Sequence, residues 1–125
     1  MNWYVFNQNN SGGRFHVTDT VCHRLFIEAP NYDKAIEKAE ELGCYWNGVA
    51  KGRDCSCCGD RWNCYNDEPI NLSKYNGDIK SYAQWLSDGY GWTSPDGRIF
   101  YADGNVEEVY SKKRGLFLIL LIMPP

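Results

Sequence analysis

Apolar and polar positions alternate or cycle along most of this chain, and their spacing predicts the elements. Trp3 to Phe6 is aromatic and β-branched, the composition of a strand. Asn7 to Gly13 (NQNNSGG) is turn chemistry, and Arg14 to Val17 can start a returning strand, so the opening reads as a hairpin. Arg24 to Ala29 is a further strand candidate, with Cys22 able to join it. Asn31 is placed to cap a helix, because its side chain can accept from the free amides of a first turn. Ala35, Ile36, Ala39 and Leu42 then share one helical face, Lys34, Glu37, Lys38, Glu40 and Glu41 lie mostly on the other, and Gly43 suits the left-handed stop. A helix is therefore predicted over residues 32–42. Cys44 to Val49 reads as a strand or tight turn, Lys51 to Asn66 as loop, and Glu68 to Gly77 as irregular chain. Ile79, Tyr82, Ala83 and Leu86 follow a capping Asp78 at helical spacing, which predicts a short second helix over about 79–86, ending near Gly89. Arg98 to Ala102 and Asn105 to Tyr110 flank Asp103-Gly104, a strong hairpin signal. Leu116 to Met123 is apolar without alternation, as in a fully buried strand or a tail covered by a second copy of the chain. The sum is an α+β fold: a small, mostly antiparallel sheet with one main helix packed on it, in a single domain over 1–125.

Composition narrows the function. The chain has 125 residues and a formal net charge of −3. That length supports a real core. The mildly acidic balance excludes a general nucleic-acid binder, which needs a basic surface to release counterions. The run from Leu116 to Met123 is far short of the about twenty apolar residues that span a bilayer, and the N-terminus lacks the basic and apolar regions of a signal peptide. A cytoplasmic protein is expected, with its six cysteines reduced. Lys112-Lys113-Arg114 reads as a solvated strand end.

The chemistry concentrates in residues 48–62, which contain Asp54-Cys55-Ser56-Cys57-Cys58-Gly59-Asp60-Arg61-Trp62. With Ile27-Glu28-Ala29, the acidic helix ending at Gly43 and the aromatic step before Gly48-Val49, this D-C-x-C-C-G-D-R-W pattern resembles a family of small bacteriophage proteins. The resemblance covers residues 1–62 well and the hairpin near 95–104 loosely. It implies a protein acting in the cytoplasm of an infected bacterium.

Three chemistries fit the motif. Cys55 and Cys58 have the C-x-x-C spacing that lets two thiolates reach one tetrahedral zinc, with Cys64 or Cys44 as further ligands and His16 or His23 as substitutes. No second C-x-x-C or H-x-x-x-H completes that pattern, and a packed, reduced loop is the plain alternative. A thiolate at Cys57 or Cys58 beside a histidine would be a nucleophile, yet only His16 and His23 exist and no known catalytic spacing is present. Asp60, Arg61 and Trp62 put a carboxylate, a guanidinium and an indole side by side, suited to the hydroxyl, phosphate and base of a small phosphorylated ligand. Tyr45, Trp46 and Arg53, with Tyr65 nearby, can complete such a pocket; the plain alternative is a structural Arg–Asp pair with Trp62 in the core. Tyr90 and Trp92, in a glycine-spaced aromatic cluster with Trp85, are candidates for docking a partner.

The expected function is therefore non-enzymatic binding: a phage protein that counteracts host defence by sequestering a nucleotide-type signalling molecule. Inhibition of a host defence protein by direct docking, and a structural zinc module, are the alternatives. A homo-oligomer is expected from the apolar tail, since a small domain struggles to cover such a run alone.

Overall fold

The computed structural model describes residues 1–63, 67–87 and 95–110. Its regular elements are β1 (Asn2–Asn7), β2 (Arg24–Ala29), α1 (Tyr32–Leu42), α2 (Ile79–Leu86), β3 (Gly97–Phe100) and β4 (Val106–Val109), with single 3-10 turns at Ser11–Gly13 and Ser73–Tyr75. The strands form one sheet in the order β1-β2-β3-β4. β1 runs antiparallel to β2, β3 antiparallel to β4, and β2 parallel to β3. The architecture is α+β with a mostly antiparallel sheet, and the main helix packs on it, as the pattern predicts.

The two faces of the sheet are both covered. Tyr4, Phe6, Leu25, Ile27, Ala29 and Phe100 point to one side and bury Ala35 and Ala39 of α1. Phe26, Ile99 and Val109 point to the other and bury Ile79 and Ala83 of α2. A strand covered on both faces reads as a continuous apolar run, which explains why Leu25-Phe26-Ile27 shows no alternation. Both helix starts follow the sequence. The Asn31 side chain accepts from Lys34 N at 2.9 Å, and the Asp78 carboxylate accepts from Lys80 N at 3.2 Å and from the Ser81 hydroxyl at 2.6 Å. Gly43 closes α1 at φ 122°, donating to the Ala39 and Glu40 carbonyls. Asp103-Gly104 turns the β3–β4 hairpin, with Gly104 at φ +95° and Asn105 N donating to Asp103 at 2.9 Å.

The opening hairpin is different from the expected one. β1 pairs with Arg24–Ala29, in register from Asn2 opposite Ala29 to Asn7 opposite Arg24, and residues 14–17 form no strand. The reason is competition for burial: β2 offers apolar side chains to both faces, whereas 14–17 alternates Phe15 and Val17 with Arg14 and His16. The Gln8 side chain acts as the neighbour of that segment instead. Its amide nitrogen donates to the His16 carbonyl at 2.9 Å and its oxygen accepts from His16 N. Cys22 lies just before β2, fully buried. Cys44 to Val49 forms turns and no strand. The apolar run 116–123 lies outside the described residues.

Candidate functional site

The motif begins on a tight fold-back. Arg53 N and Asp54 N both donate to the Gly48 carbonyl, at 2.8 and 3.1 Å. A Cβ on Gly48 would sit 1.7 Å from Asp54 Oδ2, so only glycine fits. This places the Asp54 carboxylate, 1% exposed, beneath the loop. Its Oδ1 accepts from the Tyr45 hydroxyl at 2.6 Å, and its Oδ2 accepts from Arg61 N at 2.9 Å. Burial pushes the Asp54 pKa up. The Tyr45 and Arg61 donors, with the charges of Arg61 and Arg53, together outweigh it and hold the carboxyl below its ordinary 3.8. Burial, and then the bond to Asp54, raise the Tyr45 phenol, which stays protonated and donating.

Arg61 and Trp62 are framework. Arg61 is 4% exposed. Its Nη1 donates to Gln8 Oε1 at 2.9 Å and to the Arg14 carbonyl at 2.8 Å, and its Nη2 donates to the Ser11 carbonyl. The Nε lies 3.7 Å from Asp54. A guanidinium so committed is not a phosphate fork, and the expectation that Arg61 grips the ligand is corrected. Asn9 N donates to the Arg61 carbonyl at 2.7 Å, and an antiparallel bridge joins Gln8 to Trp62, so this segment extends the edge of β1. Trp62 is 1% exposed in the core beneath α1, and its indole offers no open stacking face. Asp60 is also structural: its Oδ1 accepts from Val49 N at 2.9 Å. Trp46 packs on Phe6 with centroids 5.8 Å apart and donates to Glu40 at 2.8 Å.

Beside this framework opens a cleft of about 490 Å³, between residues 14–18 and the loop after α1. That volume is within the roughly 300–1,000 Å³ of small-molecule sites. Arg14, His16, Thr18, Tyr45 and Arg53 line it, with Leu42, Val21 and Trp62 as apolar lining. The Arg53 guanidinium lies 3.7 Å from the Tyr45 ring centroid, a cation–π contact that orients it. Desolvation, then the positive charges of Arg61 and Arg14, lower the His16 imidazole from 6.5, against a smaller pull from Asp54. His16 is therefore neutral at physiological pH and can donate or accept. Of the expected ligand set, exposed Arg53, half-buried Tyr45 and buried Trp62 line this cleft. Arg14 and Thr18 stand outside every expected site, and His16 enters here as a cleft residue rather than as a metal ligand or a base, because residues 14–17 stay out of the sheet. Their polar positions, recurring at every second residue, were the available signal.

The thiol half of the motif is not part of this cleft. Cys55, Cys57 and Cys58 are exposed, and their sulfurs lie within 4.8 Å of one another, a cluster that could hold a metal ion. Cys55 and Cys57 are joined as a disulfide, which corrects the expectation of a wholly reduced set. Cys58 is a free thiol with its sulfur 3.5 Å from that of Cys57. The turn is held by Cys58 N and Gly59 N donating to the Cys55 carbonyl, at 3.2 and 3.0 Å, with Gly59 at φ +89°. Cys44 does not join the cluster. It is in the core beneath α1, where burial pushes its thiol up to about 12. The expected zinc set of Cys55, Cys58, Cys64 and Cys44 is thus corrected at Cys44, and Cys57 stands in the group instead; Cys64 lies outside the described residues. Neither His16 nor His23 belongs to the cluster. His23 is buried, 3.4 Å from Asp96 and stacked on Phe15 at 4.0 Å. Tyr90 and Trp92 lie outside the described residues. No described helix is long and apolar enough to cross a membrane.

A family model described as Domain of unknown function (DUF7296) matches residues 1–117. No curated protein and no solved structure matches the chain.

Proposed function

The chain belongs to the DUF7296 family, whose description names no activity, and from the chemistry of the cleft we propose that it is a non-enzymatic binding protein for a small anionic, nucleotide-type ligand. The observation that carries this reading is the pair Arg14 and Arg53. Both are exposed, both line one cleft, and neither has an ion-pair partner among the described residues. Two unpaired guanidiniums facing one concavity suit a phosphorylated molecule, because each offers a planar fork of donors. Arg53, already held over Tyr45, is pre-oriented, so little side-chain freedom is lost on binding. Neutral His16 and the Thr18 hydroxyl add donors and acceptors for a sugar or base edge. The resemblance of the D-C-x-C-C-G-D-R-W motif to small bacteriophage proteins supports an infected bacterium as the setting, with sequestration of a host signalling nucleotide as the role. The apolar run at 116–123 supports a homo-oligomer that presents several such clefts.

Native mass spectrometry of freshly purified protein, followed by calorimetric titration with ATP, a cyclic dinucleotide and inorganic phosphate, tests the proposal. A co-purified phosphorylated compound, or saturable binding of one of these probes, is expected. Arg14→Ala combined with Arg53→Ala should abolish it while the melting temperature stays put. Absence of any binding to the native protein, or binding that survives the double substitution, overturns the reading.

A further inference from the structure

We propose that the Cys55–Cys57–Cys58 loop is a binding site for a thiophilic d10 cation, Zn(II) or Cu(I), which it takes up when the Cys55–Cys57 disulfide is reduced. Three sulfurs within 4.8 Å of one another occupy one exposed turn. Soft thiolates select ions of this class, and three of them satisfy a trigonal Cu(I) or leave one position of a tetrahedral Zn(II) to water. The turn is also braced from outside. The Asn9 side chain donates to the Cys58 carbonyl at 2.7 Å, and Cys55 N donates to the Ser11 hydroxyl at 3.2 Å. Both braces come from the segment whose Ser11 carbonyl accepts from buried Arg61. The three donors are thus presented by a scaffold that does not depend on the ion, so binding need not include the cost of ordering the loop.

Loading follows a balanced sequence. A dithiol reductant gives two electrons and two protons to the Cys55–Cys57 bond; two protein thiols form, and the reductant closes to its own cyclic disulfide. The three thiols then release their protons as the ion binds. The oxidised loop offers only Cys58 as a thiolate, and one thiolate does not make a site.

The test is direct. The full chain is reduced with a dithiol, desalted without oxygen, and titrated separately with Zn(II) against a chromophoric chelator and with Cu(I) against a Cu(I)-specific chelator. One ion per chain is expected for at least one metal, and the arm that saturates identifies it. The disulfide form should bind at least tenfold more weakly. Cys57→Ser and Cys58→Ser should each weaken binding by more than the roughly 10–100-fold lost with a mere supporting hydrogen bond. Both positions are exposed, so these variants should keep the circular dichroism spectrum and melting temperature of the metal-free parent. Failure of both metals to compete, or stoichiometric binding that persists in both variants, overturns the proposal.

Discussion

Within one nine-residue stretch, Asp54 to Trp62, the chain builds two regions with opposite logic. Asp54, Arg61 and Trp62 are sunk into the molecule; both Asp54 oxygens and both terminal nitrogens of Arg61 are hydrogen-bonded to protein groups, and the Arg61 Nε faces Asp54 at 3.7 Å. Cys55, Cys57 and Cys58 stand on a solvent-facing turn between them. Burying a guanidinium is costly unless protein groups answer its donors; Nη1 and Nη2 are so answered, and the first region is framework. A thiol at an exposed turn is accessible, so the second region is available for chemistry. Motif density therefore does not mark a single site. The charged and aromatic letters of the motif hold the loop in place, and the reactive letters ride on it.

The largest effect that would break this contrast lies in the framework. Arg61→Ala leaves Gln8, Ser11, Arg14 and Asp54 without their shared partner. It should cost about 3–5 kcal/mol, the range for removing one side of a buried ionic group, read as a fall in the urea midpoint. Arg61→Lys should recover little of this, because one ammonium does not span acceptors arranged for a fork. A small loss in both would mean that the framework role is wrong.

A pH series sharpens the same region. The Asp54 carboxyl is held below its ordinary, unfolded value of 3.8. The folded state therefore binds the fewer protons in the acid range. Its stabilising contribution is complete above the unfolded value and is lost as pH falls through the depressed folded one. Urea midpoints should drop between neutral pH and about pH 3, and Asp54→Asn should flatten part of that slope while lowering stability at neutral pH. A slope unchanged by the substitution would show that Asp54 is not linked to folding.

The smallest effect should come from the turn. Cys58→Ser should change stability by no more than about 0.5 kcal/mol, the usual scale for surface substitutions. Peptide-mapped alkylation of the folded protein should label Cys58 well before Cys22 or Cys44. Burial raises those two thiols to about 11 and about 12 and screens them from reagent. Equal labelling rates at Cys44 and Cys58 would erase the distinction between core and turn.

Short-range features were legible in the letters. The Asn31 and Asp78 caps, the Gly43 stop and the Asp103-Gly104 turn each involve partners within a few residues, so local spacing was sufficient to find them. The continuous apolar run of β2 was also visible. The sequence by itself thus determined both helices, the closing hairpin, the α+β class and the concentration of chemistry at 54–62. Tertiary structure alone decided which segment β1 pairs with, that Arg61 faces inward to Gln8 across 53 residues of chain, and that Cys57 replaces Cys44 in the thiol group. Arg14 enters the cleft for the same reason that it leaves the sheet. These outcomes follow from competition between distant segments for buried surface and for hydrogen-bond partners. Such competition is resolved only when the whole chain packs, and no local window contains both competitors.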